Sequence, residues 1–275
     1  MRKRLNISSG QAKLATEVVG IGTPIIFLHA SVCDSRMWEK QLTAVGASHM
    51  AVAYDRRGFG GTAYAEEDHS PVQDLIAVIE AVGQGQPVVI VGCSQGGRIA
   101  IDLAIEHPNL VRALVLISSS VAGSPEPNYP TKIKYLLEQQ SEAEIEKNVD
   151  KLNAIKAHLW LDGPLAENGR VQGTVRDSFL AMNGRVLNAS PAGKTTDVTP
   201  MYGRLGEIEV PTLVAWGSLD FPHIQERGKQ IVGLVKNGEA YELEGTAHLP
   251  SLERPEVVTE MLVGFLERLQ QGLTH

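Results

Sequence analysis

The sequence has few cysteines, no excess of basic charge and no long apolar run. Its 275 residues include two cysteines, Cys33 and Cys93, whose spacing neither forms a metal site nor requires a disulfide. A net charge of −7 without a basic stripe argues against a nucleic-acid partner. No apolar run reaches the roughly 18 residues of a membrane span, and the basic Met1–Arg4 segment lacks an apolar signal core behind it. We therefore expect a cytoplasmic protein without a membrane partner.

Apolar, strand-like runs alternate with helical patterns between residues 24 and 118. The runs are continuous, which is typical of strands covered on both faces. An alternating pair over residues 3–8 and 12–19 precedes them, and the rhythm resumes at Val210. Ser35 is the predicted N-cap of a helix over residues 36–46. The pattern predicts the α/β class, with a doubly wound, mostly parallel sheet.

Residues 121–205 interrupt this rhythm and contain no strand-like apolar run. The block is too long for a loop and too regularly patterned for a disordered linker. Its helical patterns cover residues 131–140, 142–159 and 176–187. We predict that 121–205 is a helical cap inserted into a core domain made of residues 1–120 and 206–275.

The segment Gly92-Cys93-Ser94-Gln95-Gly96 matches G-x-S-x-G between a predicted strand and a predicted helix. In that context the turn is tight, so Ser94 is strained and presents its hydroxyl above the sheet edge. Gly92 and Gly96 fit this turn because they have no Cβ atom, which would collide there with the neighbouring helix or strand. Cys93 is a rival nucleophile by chemistry only, because the turn presents the next residue. Ser94 is the predicted nucleophile.

A serine hydroxyl needs a base, an acid that orients the base, and an oxyanion site. Ligands of open parallel sheets bind beyond the carboxyl ends of the strands, and Asp220 and His248 each follow a predicted strand. The chain order Ser, Asp, His is the one expected for this architecture. Two alternatives stay open at this point. Asp220 could instead be the N-cap of the following helix, and Glu126 could then be the acid.

Two backbone N–H groups are the predicted oxyanion donors. One belongs to Gln95, directly after the nucleophile, and the other to Ser31, in the loop after an apolar strand. His29 is expected to brace that loop. Asp55 or Arg57 is expected to tie neighbouring loops together.

These motifs together resemble those of the α/β-hydrolase superfamily. They are Leu28-His29-Ala30, Asp55-x-Arg57-Gly58-x-Gly60, Gly92-x-Ser94-x-Gly96, Gly217-x-x-Asp220 and Gly245-x-x-His248. The resemblance covers residues 24–118 and 207–270. It implies a triad of Ser94, Asp220 and His248, a two-amide oxyanion hole, and neither a metal nor an organic cofactor. Ala30 departs from the usual Gly, and we expect its methyl group to narrow the oxyanion loop.

The resemblance implies a serine hydrolase that cleaves a small-molecule ester or lactone through an acyl-enzyme, as cap-bearing esterases and enol-lactonases do. Two alternatives are a C–C bond hydrolase of ring-cleavage products and a ligand-binding, receptor-type protein with little turnover. Haloalkane dehalogenases and epoxide hydrolases use Asp as nucleophile, so Ser94 argues against both. Whether the chain is a monomer or a homodimer is left open. The predicted pocket residues, each of which could instead be cap core, are Trp160, Phe179, Met182 and Leu187.

Overall fold

The computed structural model describes residues 2–83 and 85–271, so residues 1, 84 and 272–275 of the predicted core segments lie outside it. Within the described ranges, eight strands form one sheet in the order β1-β2-β4-β3-β5-β6-β7-β8. The strands are β1 (Arg2–Ser9), β2 (Ala12–Val19), β3 (Pro24–Leu28), β4 (Met50–Tyr54), β5 (Val88–Cys93), β6 (Val111–Ile117), β7 (Thr212–Gly217) and β8 (Gly238–Leu243). The neighbouring strands from β4 to β8 in this order pair in parallel. The β1–β2 and β2–β4 pairs are antiparallel. The predicted mostly parallel sheet is confirmed.

Helices cover both faces of the sheet. The helices outside the segment 121–205 are α1 (Glu39–Val45), α2 (Pro71–Val82), α3 (Gln95–Glu106), α7 (Pro222–Leu234), α8 (Pro250–Glu253) and α9 (Pro255–Gln271). One apolar cluster joins α2, α3 and α7 to the sheet, and a second joins α1 and α9 to its opposite face. This arrangement is doubly wound, as predicted. In the described part of the chain, no helix is both long and apolar enough to cross a membrane.

The segment 121–205, called the cap below, leaves the sheet after β6 and returns before β7. It contains α4 (Thr131–Ile145), α5 (Val149–Ala157), a π-helical turn (His158–Asp162) and α6 (Gly173–Leu187). The break between the first two helices lies later than predicted. Lys147 adopts a positive φ of 54°, and the side chain of Asn148 accepts the N–H of Lys151 at 3.0 Å to cap α5. The apolar spacing runs on through this break, so periodicity alone misplaced it.

The helix predicted over residues 36–46 begins differently. Asp34, not Ser35, is the N-cap, because its Oδ1 accepts the N–H of Arg36 at 3.1 Å. The first turn, Ser35–Trp38, is a 3₁₀-helix, and α1 begins only at Glu39. Ser35 instead donates its N–H to Oδ1 of Asp55 at 2.8 Å, so the predicted cap was wrong by one residue.

Candidate active site

Ser94 lies in the turn between β5 and α3 with φ 54° and ψ −116°, a conformation that side chains rarely adopt. Its two flanking glycines are required by close backbone packing. A Cβ on Gly92 would lie 2.6 Å from the carbonyl oxygen of Gly96, and one on Gly96 would lie 2.4 Å from that of Leu28. The turn therefore has the tight, strained geometry predicted from the motif.

His248 and Asp220 are buried and form a hydrogen-bonded pair. Nδ1 of His248 lies 3.0 and 2.9 Å from the two carboxylate oxygens of Asp220, and Oδ1 also accepts the N–H of Phe221 at 2.7 Å. A carboxylate at Nδ1 favours the tautomer that carries its proton there. Nε2 is then free to act as a base, and this buried atom has no hydrogen-bond partner.

The two alternatives for the acid are not supported by the geometry. The N-cap residue of α7 is Phe221, with no side-chain cap, so Asp220 does not cap that helix. Glu126 is exposed, whereas Asp220 is 2% exposed and in contact with the imidazole. Asp220 is the acid that faces His248.

His248 lies beside the turn that carries Ser94. Sγ of Cys93, the residue before Ser94, is 3.6 Å from the backbone oxygen of His248. Nε2 does not hydrogen-bond to Ser94, and such contacts often tighten only when substrate binds. Burial raises the pKa of the Cys93 thiol well above its ordinary value, which keeps it in the unreactive thiol form.

The two predicted oxyanion donors follow paired positions of adjacent strands. Leu28 of β3 is in register with Gly92 of β5, and Ser31 and Gln95 each lie three residues further on. Gln95 opens α3, where backbone N–H groups have no acceptor within the helix. Ser31 is exposed in its loop. Both predicted donors therefore follow the carboxyl ends of adjacent strands, and Gln95 directly follows Ser94.

His29 stabilises the loop after β3 in its neutral form. Its Nε2 accepts the N–H of Arg56 at 3.1 Å, and Nδ1 therefore donates to the carbonyl of Ala30 at 2.8 Å. Burial, and then the charge of Arg56, lower the pKa of His29 well below its ordinary value. Asp55 ties two loops together through the N–H groups of Ser35 (2.8 Å) and Gly61 (2.7 Å).

Arg57 ties loops as well. Its guanidinium donates to both carboxylate oxygens of Asp74 at 2.9 and 3.0 Å and to the carbonyl of Ser9 at 2.8 Å. Both side chains of the ion pair are less than 5% exposed, so α2 is fastened to the loop after β4. The sequence predicted that Asp55 or Arg57 connects neighbouring loops, and in the structure both residues do so.

Of the four predicted pocket residues, Trp160 contacts the candidate base. Its ring centroid is 4.6 Å from that of His248 and 4.7 Å from that of Phe221. Phe179 and Met182 are fully buried in the apolar cluster between the cap and the core, which agrees with the alternative that they are core residues. Leu187 is half-buried at the end of α6.

A cavity of about 970 Å³ opens elsewhere, between β1, α1 and α6. Ser94, Asp220 and His248 are not among its lining residues, whose apolar members include Met37, Met182 and Leu252. The candidate active site is therefore identified from Ser94, Asp220 and His248 and not from this cavity.

Two further residues near His248 escaped the sequence analysis. Glu253 accepts the N–H of Ala247, and Arg170 of the cap forms an ion pair with Glu253. The partners are 83 residues apart and match no motif, so no sequence signal joins them.

The sheet order, the strained serine turn and the His–Asp pair are features of α/β hydrolases. The model of the family described as Alpha/beta hydrolase family matches residues 25–261. The chain belongs to this family, and the resemblance inferred from the motifs is confirmed.

The relatives of this chain carry the names of different hydrolases. The chain is 29% identical over 278 residues to 2-hydroxy-6-oxononadienedioate/2-hydroxy-6-oxononatrienedioate hydrolase of Paraburkholderia xenovorans, covering 96% of this chain and 93% of the relative. It is 24% identical over 261 residues to the pimeloyl-acyl-carrier protein methyl ester esterase of Vibrio atlanticus, with 91% and 97% covered. The esterase RhEst1 from Rhodococcus superposes with a TM-score of 0.76 at 22% identity, with 98% and 99% covered. The last likeness shows the fold alone.

Proposed function

We propose that the protein is a serine hydrolase that cleaves the carboxylic ester or lactone of a small molecule through an acyl-enzyme. One observation carries the proposal. His248 is held by Asp220 with its buried Nε2 unpartnered, next to the turn that strains Ser94. This arrangement supports the role of a general base that is oriented by an acid and acts on the serine of that turn.

In the proposed mechanism the Ser94 hydroxyl attacks the substrate carbonyl while Nε2 of His248 takes its proton. Asp220 stabilises the imidazolium through Nδ1–H. The N–H groups of Gln95 and Ser31 bind the oxyanion, and the N-terminus of α3 adds a favourable field. The imidazolium then protonates the leaving alcohol, and water hydrolyses the acyl-enzyme by the same route.

The test compares two adjacent residues of the turn on short p-nitrophenyl esters and on lactones. Ser94→Ala should abolish steady-state hydrolysis, while Cys93→Ala, which removes the buried thiol beside it, should keep most of it. Loss of activity in Cys93→Ala alone would contradict the proposal. A stoichiometric burst of p-nitrophenol without a steady rate would indicate the receptor-type alternative instead.

A C–C bond hydrolase is the second candidate. It is favoured by the relative from Paraburkholderia xenovorans, whose name describes a hydrolase of 2-hydroxy-6-oxononadienedioate and 2-hydroxy-6-oxononatrienedioate. The relative named as a methyl ester esterase supports the first candidate. Rates on vinylogous diketones measured beside rates on esters decide between them: the higher kcat/KM identifies the bond class.

A further inference from the structure

Glu253 of α8 holds the backbone on both sides of His248. Its two carboxylate oxygens lie 2.9 and 3.0 Å from the N–H of Ala247, and the backbone amide of Leu249 also stabilises its charged form. The side chain is only 2% exposed. The carboxylate therefore fixes the loop that carries the candidate base without touching the imidazole.

Arg170 connects this carboxylate to the cap. Its guanidinium pairs with Glu253 and donates to the carbonyl of Gly245 at 3.1 Å, on the histidine loop. It also donates to the carbonyls of Leu161 and Asp162 at 2.9 and 2.6 Å, at the end of the π-helical turn. One side chain thus joins the cap to the segment around His248.

The same π-helical turn places the Trp160 ring against the imidazole of His248. The following residue, Gly163, has φ 97°, and a Cβ there would lie 2.5 Å from the carbonyl of Leu219 and 3.4 Å from Cβ of Ala247. The cap therefore packs directly on the loops that carry the acid and the base. Any shift of Arg170 would change this packing.

We propose that Glu253 is a positioning residue for His248, and that its ion pair with Arg170 couples the placement of the cap to the catalytic histidine. The proposal rests on the proposed function for the role of His248. Its physical reason is that Nε2 must stay directed toward Ser94, and a displacement of about 1 Å can lower a rate about 100-fold. Removal of one partner of a buried pair also leaves the other charge uncompensated.

The contact is sensitive to pH. Burial raises the pKa of Glu253 from its ordinary value near 4.5 to about 7, although Arg170 and the backbone amides oppose the shift. Arg170 from the cap is the charged group that acts on it. The Cys93 thiol of β5, whose pKa is raised by burial and then by the charges of Asp220 and Glu253, stays neutral. The carboxylate is therefore about half protonated near pH 7. The ion pair with Arg170 forms more completely as pH rises above that value and is lost as pH falls below it.

The first measurement is kinetic. Glu253→Gln keeps an acceptor for Ala247 but removes the charge, and it should lower kcat about 10- to 100-fold with KM little changed. Arg170→Gln should behave alike, Arg170→Lys should recover part of the loss, and the double Gln variant should be no slower than the slower single variant. The control is Glu146→Gln, which breaks an exposed ion pair with Lys151 elsewhere in the cap and should change nothing.

The second measurement needs no substrate. The imidazole resonances of His248 are followed by NMR from pH 5 to 9 in the wild type and each variant. Glu253→Gln and Arg170→Gln should shift this titration, and Glu146→Gln should not. An unchanged titration and unchanged kcat, with only a lower melting temperature, would show a purely structural ion pair and overturn the proposal. If the wild type hydrolyses no ester, the proposed function fails, while the titration still decides the role of Glu253.

Discussion

The two sides of the candidate site are held by different forces. On the core side, the backbone N–H of Ser94 donates to the carbonyl of Ile117 at 2.9 Å. The flanking Gly92 and Gly96 are packed so closely that an added Cβ would lie below 3 Å from a backbone carbonyl. On the cap side, Trp160 is held against His248 by a segment that depends on the guanidinium of Arg170. Backbone packing is insensitive to pH and salt, whereas an ion pair is sensitive to both. We therefore expect substitutions at the core side of the candidate site to abolish activity. Substitutions at the cap side should lower activity only in part.

The largest effect should come from the acid of the core. Asp220→Asn removes the carboxylate that selects the tautomer of His248, and kcat should fall about 10⁴-fold at unchanged melting temperature. The matched control is Glu126→Gln, at the exposed acid that the sequence left as an alternative. Full activity of Asp220→Asn, or a large loss in Glu126→Gln, would contradict the assignment.

Two glycines then compare core with cap directly. Gly96→Ala forces a Cβ to 2.4 Å from a backbone carbonyl of the core, and should destabilise the whole fold by about 3 kcal/mol or more. Gly163→Ala meets a contact of 2.5 Å at a φ of 97°, but in the cap. It should lower kcat with a smaller fall in melting temperature. Calorimetry and ester hydrolysis check the pair; equal melting temperatures would remove the distinction between the two regions.

A smaller effect is expected from the aromatic contact with the base. Trp160→Ala opens the face of His248 that the indole covers and should lower kcat/KM about 10-fold, while Trp160→Phe should recover most of it because the ring contact is kept. Steady-state kinetics on one p-nitrophenyl ester are sufficient. Equal rates in the Ala and Phe variants would show that the ring contact is irrelevant to catalysis.

The smallest effect concerns the pH dependence of stability and comes from Asp102 of α3, which is not a residue of the candidate site. Burial raises the pKa of Asp102 from 3.8 to about 6, against the pull of Arg98, which lies 3.5 Å away. Between these values the folded protein holds a proton that the unfolded chain has released, so the free energy of unfolding falls as pH rises from about 4 to 6. Asp102→Asn should flatten this part of the melting-temperature profile by a few degrees and leave activity unchanged. An identical profile would show that Asp102 does not titrate there.

Much of the fold follows from local patterns. Continuous apolar runs bounded by Gly and Pro predicted a mostly parallel sheet, and G-x-S-x-G predicted the strained turn at Ser94. Errors arose where several local signals competed. Asp34 and Ser35 are both favourable N-cap residues. Only the tertiary structure shows that Asp34 is the N-cap, whereas the N–H of Ser35 donates to Asp55.

The sequence by itself determined the α/β class, the family and the candidate site residues Ser94, Asp220 and His248, because these depend on residue spacing and on turns that glycine alone permits. The tertiary structure decided which apolar cap residue reaches His248 and that Glu253 and Arg170 meet beside it. Those contacts join residues far apart in the chain, and their energies depend on burial, which no local pattern records.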